Sequence, residues 1–193
     1  MTATQQSLAT KKFASLKAWQ TWLAKNYNKS NGVSLMLAKK NADKPTVTYA
    51  EALDAALCYG WIDGQKNPYD EQYWLQKFGP RQAKSIWSKK NIEHTERLIK
   101  EGKMQPAGLK AIEAAKANGS WQKAYDAQST MIIPEDFLKA LGKNQKAAAF
   151  YKTLNRTNLF SIAFRLQTAK KEETRLKRIK NIIEMLEREQ KFH

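Results

Sequence analysis

Residues 48–64 read TYAEALDAALCYGWIDG, and they spell a helix, its stop and the start of a strand. Thr48 and Glu51 stand three apart, the spacing of a capping box, in which each side chain satisfies an orphan N–H of the first turn. Ala52, Leu53, Ala56 and Leu57 fall on one side and predict a buried stripe. Gly60 stands where a left-handed C-terminal cap is expected. Trp61, Ile62 and Asp63 then begin an extended segment.

Upstream, Ser15 is placed to cap a helix over 16–27, with Leu16, Trp19 and Leu23 at helical spacing and Trp22 beside them. Asn31-Gly32 signals a turn, and Val33–Ala38 (VSLMLA) reads as a buried strand. A polar loop follows and ends at Pro45. Downstream of Asp63, a loop holding Gly64, Asn67, Pro68 and Asp70 leads to a second strand over 72–78. Trp74 and Phe78 share one face of it, Tyr73 and Leu75 the other. Gly79-Pro80-Arg81 breaks that strand. Ser88 is placed to cap a helix running to about Glu101, with Ile92, Leu98 and Ile99 apolar and Gly102 stopping it. Pro106 suits the first turn of a further helix, through Leu109 and Ile112 to Asn118-Gly119.

These readings predict an α+β unit over 13–121, a polar linker over 122–132 and an all-helical unit over 133–193. In the last, Pro134 and Gly142 bracket a short helix, and Asn144 caps a second carrying Phe150, Tyr151 and Leu154. Thr157 is placed to cap a third with Leu159, Ile162, Phe164 and Leu166. The final helix aligns Leu176, Ile179, Ile183 and Leu186, with Arg175, Lys177, Arg178 and Lys180 on its other face. The expected class is α+β and mainly helical, with a small antiparallel sheet in the N-terminal unit.

The chain of 193 residues is 42% apolar and 27% charged, which supports a packed core and argues against wholesale disorder. Its mean hydropathy is -0.69, and no run approaches the ~18 apolar residues that a membrane helix needs. No apolar stretch precedes Lys11-Lys12, so no secretory signal is expected and a cytoplasmic location is. Cys58 stands alone, which excludes an internal disulfide framework and a multi-cysteine zinc site. With only His94 and His193 beside it, no metal is expected.

Charge is strongly asymmetric in sign: 34 basic against 18 acidic residues, a net of +16. From Lys139 to His193 there are 14 basic and 5 acidic residues. Such a balance attracts phosphates and acidic surfaces. It makes an anionic ligand, an acidic protein partner or non-specific nucleic acid the partner classes to consider.

Candidate chemistry centres on the N-terminal unit. Trp61, Asp63 and Gly64 follow a helix end, so Trp61 and Asp63 can wall a ligand cleft; the alternative is core packing and a turn cap. Lys66, Arg81, Ser85, Ser88 and Asn91 converge if the hairpin returns its end beside the next helix start. Arg81 offers a planar fork for carboxylate or phosphate, and Trp87 a stacking face. The alternative is that Ser88 only caps a helix and Arg81 pairs with Asp63 or Glu51. Cys58 with His94 invites a nucleophile–base pairing, but Cys58 lies among apolar neighbours and reads as a small hydrophobe. A triad of Ser88, His94 and Asp63 lacks any nucleophile elbow or oxyanion loop. Glycine-rich phosphate loops are absent, so no nucleotide cofactor is expected. Arg175, Lys177, Arg178 and Lys180 form a basic face, diluted by Glu172, Glu173, Glu184, Glu187 and Glu189.

Four phrases carry a resemblance: YAEALDAALCYGWIDG over 49–64, FGPRQAKSIWSKKN over 78–91, GKMQPAG over 102–108 and AKKEETRLKRI over 169–179. In these the chain resembles the YdeI/OmpD-associated family, also called the bacteriocin-protection family. The resemblance implies a soluble bacterial protein linked to resistance against antimicrobial peptides, with no defined reaction. The iron-chaperone-like module of some relatives is not recognisable, so no iron-related role is carried over. Taken together, the expected function is non-enzymatic binding of a ligand or partner in a stress or resistance role. A nucleic-acid-binding protein working through the basic C-terminal helices, or an enzyme with its site in the N-terminal unit, are the alternatives.

Overall fold

In the computed structural model, which describes residues 8–82, 84–127 and 130–193, the capping box at Thr48 and Glu51 closes in both directions. The Glu51 N–H donates to Thr48 Oγ1 at 3.3 Å, and the Thr48 N–H donates to Glu51 Oε2 at 2.9 Å. These bonds start α2 (Tyr49–Cys58), whose side chains from Ala52 to Cys58 are all buried except Asp54. Gly60 closes it at φ +72°, the left-handed conformation expected there.

The described residues form two units, one holding the chain up to Trp87 and Asn91–Lys123, the other Ser88–Lys90 and Ala124–His193. The first contains β1 (Thr10–Lys12), α1 (Leu16–Asn26), β2 (Val33–Ala38), α2, β3 (Trp61–Pro68), β4 (Tyr73–Pro80), most of α3 (Lys89–Lys100) and α4 (Pro106–Ala117). Sheet order is β1-β2-β4-β3. β2 and β4 pair antiparallel from Val33↔Phe78 to Ala38↔Tyr73, and β3 flanks β4 antiparallel. Val33, Leu35 and Leu37 thereby share a face with Phe78, which buries them against Trp19 and Leu23 of α1 and Ala52, Ala56 and Leu57 of α2. Burial of each such Leu or Phe stabilises by about 1.5–3 kcal/mol. Trp19 stacks on Trp22 at 5.4 Å between centroids, and Trp22 meets Trp61 edge-on at 5.8 Å.

Gly108 fits α4 against the end of α2: a Cβ there would strike the Cys58 carbonyl. The helices therefore touch backbone to backbone, a contact only glycine permits.

The structure corrects several expectations. The sheet is not wholly antiparallel, because β1 pairs parallel with β2. β1 is three exposed residues, TKK, and carries no alternation of polarity to mark it. The hairpin strands are longer than read. β3 continues through Asn67 and Pro68, with an irregularity between Asp63 and Lys66, and β4 runs on to Pro80. As an edge strand, β3 tolerates such a break. In α3 and α4, Ile99 and Leu109 are exposed, while Thr95, Leu98 and Ile112 are buried.

The second unit contains α5 (Glu135–Leu141), α6 (Gln145–Tyr151), α7 (Arg156–Gln167) and α8 (Glu172–Glu187). Its core joins Phe137, Leu141, Ala147, Ile162, Leu166, Ile179, Ile182 and Leu186. Asn155, not Thr157, caps α7, accepting from the Asn158 N–H. Leu176 is 59% exposed and Ile182 takes its expected place in the core, because the buried stripe is rotated around the helix. Within the same unit Tyr125 accepts from the Lys89 N–H at 2.9 Å and sets its ring edge-on to Phe164. Thus Tyr125 and Asp126, inside the 122–132 segment, are held in place; Gln128 and Ser129 of that segment lie outside the described residues, as do residues 1–7 on which the signal expectation rests. Among the described residues no helix is long and apolar enough to cross a membrane.

Candidate functional site

Beyond Pro80 the chain leaves the sheet but stays tied to it, as the Arg81 N–H donates to the Gly60 carbonyl at 3.0 Å. A tight turn follows, in which the Gln82 N–H donates to Ser85 Oγ at 3.0 Å and the Ser85 N–H to the Gln82 carbonyl at 2.8 Å. That turn folds the chain back so that the Arg81 guanidinium lies 3.6 Å from the centre of the Trp87 ring. Trp87 is 3% exposed and packs on Trp121 at 4.8 Å. A desolvated indole at that distance attracts the guanidinium through its ring face.

Arg81, Gln82, Ser85 and Trp87 form one wall of a cleft of about 230 Å³. Ala111, Ala114 and Ala115 of α4 form the floor, with Asn118 and Ser120 at the rim. Methyl side chains leave room that larger residues would fill. The lining residues include one guanidinium and no carboxylate. A space this small suits a phosphate- or carboxylate-sized group rather than a drug-sized molecule.

The other expected site residues lie elsewhere. Trp61 is 1% exposed and donates its indole N–H to the Tyr27 carbonyl at 2.9 Å, so it belongs to the core and walls no cleft. Asp63 accepts from the Tyr49 hydroxyl at 2.9 Å, Glu51 is engaged in the capping box, and Arg81 Nη1 donates to the Ile86 carbonyl at 3.5 Å. Lys66 points into a separate, open hollow of about 680 Å³ with Lys39, Lys40 and Trp74. Ser88 is 7% exposed and directly precedes α3, and Asn91 sits half-buried in its first turn. Neither lines the Arg81 cleft.

The nucleophile–base idea finds no geometry. Burial, then the nearby Asp54 carboxylate, push the Cys58 thiol up to about 11. His94 Nδ1 lies 2.7 Å from Asp54 Oδ1, and Arg97 Nη2 lies 2.5 Å from Oδ2 of the same carboxylate. This clamp between α2 and α3 ties His94 to Asp54, not to Asp63 as the triad expectation required.

The basic face of α8 divides. Arg175 grips Asp136 and donates to the Leu166 carbonyl at 2.7 Å; Arg178 donates to the Arg165 carbonyl. Lys177 and Lys180 stay exposed. Sequence reasoning missed Asn118, Ser120 and the α4 alanines, since alanine carries no chemical signal and these residues are distant along the chain. It also missed Asp54, whose spacing reads only as a helix position.

Residues 11–111, just over half of the 193, match the family model described as Domain of unknown function (DUF8412). The chain belongs to that family. The turn bearing Arg81, Ser85 and Trp87 lies within this DUF8412 match, as do three of the four phrases quoted above. Residues 130–189 match a second family model, Bacteriocin-protection, YdeI or OmpD-Associated, which supports the YdeI/OmpD-associated assignment on the C-terminal part. No curated protein and no solved structure matches the chain.

Proposed function

We propose that this protein is a non-enzymatic binding protein whose DUF8412 part takes a small anion in the Arg81 cleft. The observation that carries the reading is the Arg81 guanidinium held 3.6 Å from the centre of the Trp87 ring, in a hollow lined by no carboxylate. A guanidinium so placed suits the charge of a carboxylate or phosphate. The bacteriocin-protection name of the C-terminal family supports a stress or resistance role; a cytoplasmic location, and 13–121 and 133–193 acting as separate parts joined by 122–132, complete the proposal. Nucleic-acid binding through α8 is the weaker reading, because Arg175 and Arg178 are spent on Asp136 and on backbone carbonyls.

Thermal unfolding of the full chain tests this, with phosphate, pyrophosphate or citrate compared with chloride at equal ionic strength. At about ten times Kd the ligand adds about 1.4 kcal/mol, or about 3 °C for a chain of this size. The rise is expected for the natural chain and absent in Arg81→Gln and in Ser85→Ala. No rise with any of the three anions, or an equal rise in both variants, refutes the reading.

A further inference from the structure

We infer that the hollow at the loop end of the β3–β4 hairpin is a second binding site, for a ligand that joins a flat aromatic ring to a phosphate, such as a nucleoside monophosphate. It is independent of the Arg81 cleft and shares no residue with it. Its volume, about 680 Å³, is in the range of small-molecule sites. Lys39 and Lys40 follow β2, Lys66 and Pro68 come from β3, and Trp74 from β4. The pairing Leu37↔Trp74↔Pro68 sets these three strand ends side by side.

Two features mark the chemistry. The first is charge: three ammonium groups line the hollow and no carboxylate does. Of the acids in the adjoining loops, Glu71 is exposed, and Asp70 and Asp43 are hydrogen-bonded. Asp70 Oδ1 accepts from the N–H groups of Gln72 and Tyr73, and Asp43 accepts from Gln72 Nε2. Lys39 is anchored, its Nζ donating to the Asp70 carbonyl at 2.6 Å. The second is an aromatic platform. Lys66 Nζ lies 4.3 Å from the centre of the Trp74 ring, so that ring is open to the hollow. Tyr49 buttresses Trp74 at 6.0 Å, and its hydroxyl is tied to Asp63.

An exposed ammonium over an indole is a weak contact, whereas a nucleobase stacks on the same face over its whole area. The base therefore takes the place of Lys66 on Trp74. The displaced ammonium moves to the ring edge and joins Lys39 and Lys40 around the phosphate. A ring alone would miss the lysines, and a phosphate alone would miss the platform.

Isothermal titration of the full chain with AMP, adenosine, inorganic phosphate and a short single-stranded oligonucleotide tests this. AMP is expected to bind with a Kd at or below about 1 mM, and adenosine and phosphate about tenfold more weakly. Lys66→Ala and Lys40→Ala, both at exposed positions, are expected to weaken AMP by about tenfold, while Arg81→Gln leaves it unchanged. AMP binding as tightly as the oligonucleotide per site identifies a free nucleotide as sufficient; an oligonucleotide that binds tighter through the same lysines assigns the site to strand ends. Phosphate as tight as AMP, AMP insensitive to both lysine variants, or no AMP binding overturns the inference. Because Arg81→Gln separates the two sites, failure here leaves the anion cleft standing, and the converse holds.

Discussion

The guanidinium of Arg175 on α8 grips both carboxylate oxygens of Asp136 on α5, Nε at 2.7 Å and Nη2 at 2.8 Å. This bond holds the Asp136 carboxyl below its ordinary value of 3.8. A carboxyl lowered on folding stabilises fully above its ordinary value, and the contribution is lost as pH falls through the lower folded value. Urea unfolding of Asp136→Asn is therefore expected to show a loss of about 1 kcal/mol at neutral pH, a bidentate pair near the surface. That loss disappears in strong acid.

Gly108→Ala is expected to cost about 1–3 kcal/mol, because the new methyl group meets the Cys58 carbonyl and forces α4 away from α2. Gly102→Ala is a useful contrast, with nothing near its Cβ and only the left-handed φ of 64° to oppose it. Thermal melts followed by far-ultraviolet circular dichroism rank the two; equal, negligible losses would contradict the close approach.

Cys58 is expected to resist alkylation in the folded chain. The residue is 7% exposed and burial pushes its thiol up to about 11, so the thiolate is scarce at neutral pH. Mass spectrometry after iodoacetamide treatment should find it modified only once denaturant unfolds the N-terminal unit.

Asn158→Ala is expected to release Phe192 and His193. Asn158 is 1% exposed, its Oδ1 accepts from the N–H groups of Phe192 and His193, and its Nδ2 donates to the His193 carbonyl. Stranding these groups costs about 1–3 kcal/mol. Amide exchange at Phe192 and His193 should accelerate strongly in the variant.

What the sequence disclosed follows from how local each signal was. The capping box, Gly60 and Pro106 act within one turn of chain, and each lands where read. The Arg81–Ser85–Trp87 grouping was also legible, since the turn that makes it spans few residues. Its floor was not, because Ala111 and Ala115 became lining only when α4 packed on α2. Lys66 and Arg81 sit near opposite ends of the hairpin, so placing them in one site required a register that alternation alone does not supply. Gln76 shows the same limit: a polar residue at 3% exposure, kept inside because its Nε2 donates to the Gly64 carbonyl across the irregular part of β3.

All six tryptophans, at 19, 22, 61, 74, 87 and 121, fall in the first unit and none in the second. Emission excited in the far red edge of protein absorption, where tyrosine is silent, thus reports the first unit alone. The stacked Trp19–Trp22 pair, its ring planes 9° apart, should add an exciton couplet that vanishes when α1 melts. Nature has in effect dyed one half of the molecule, so the order in which the halves come apart can be watched without attaching a label.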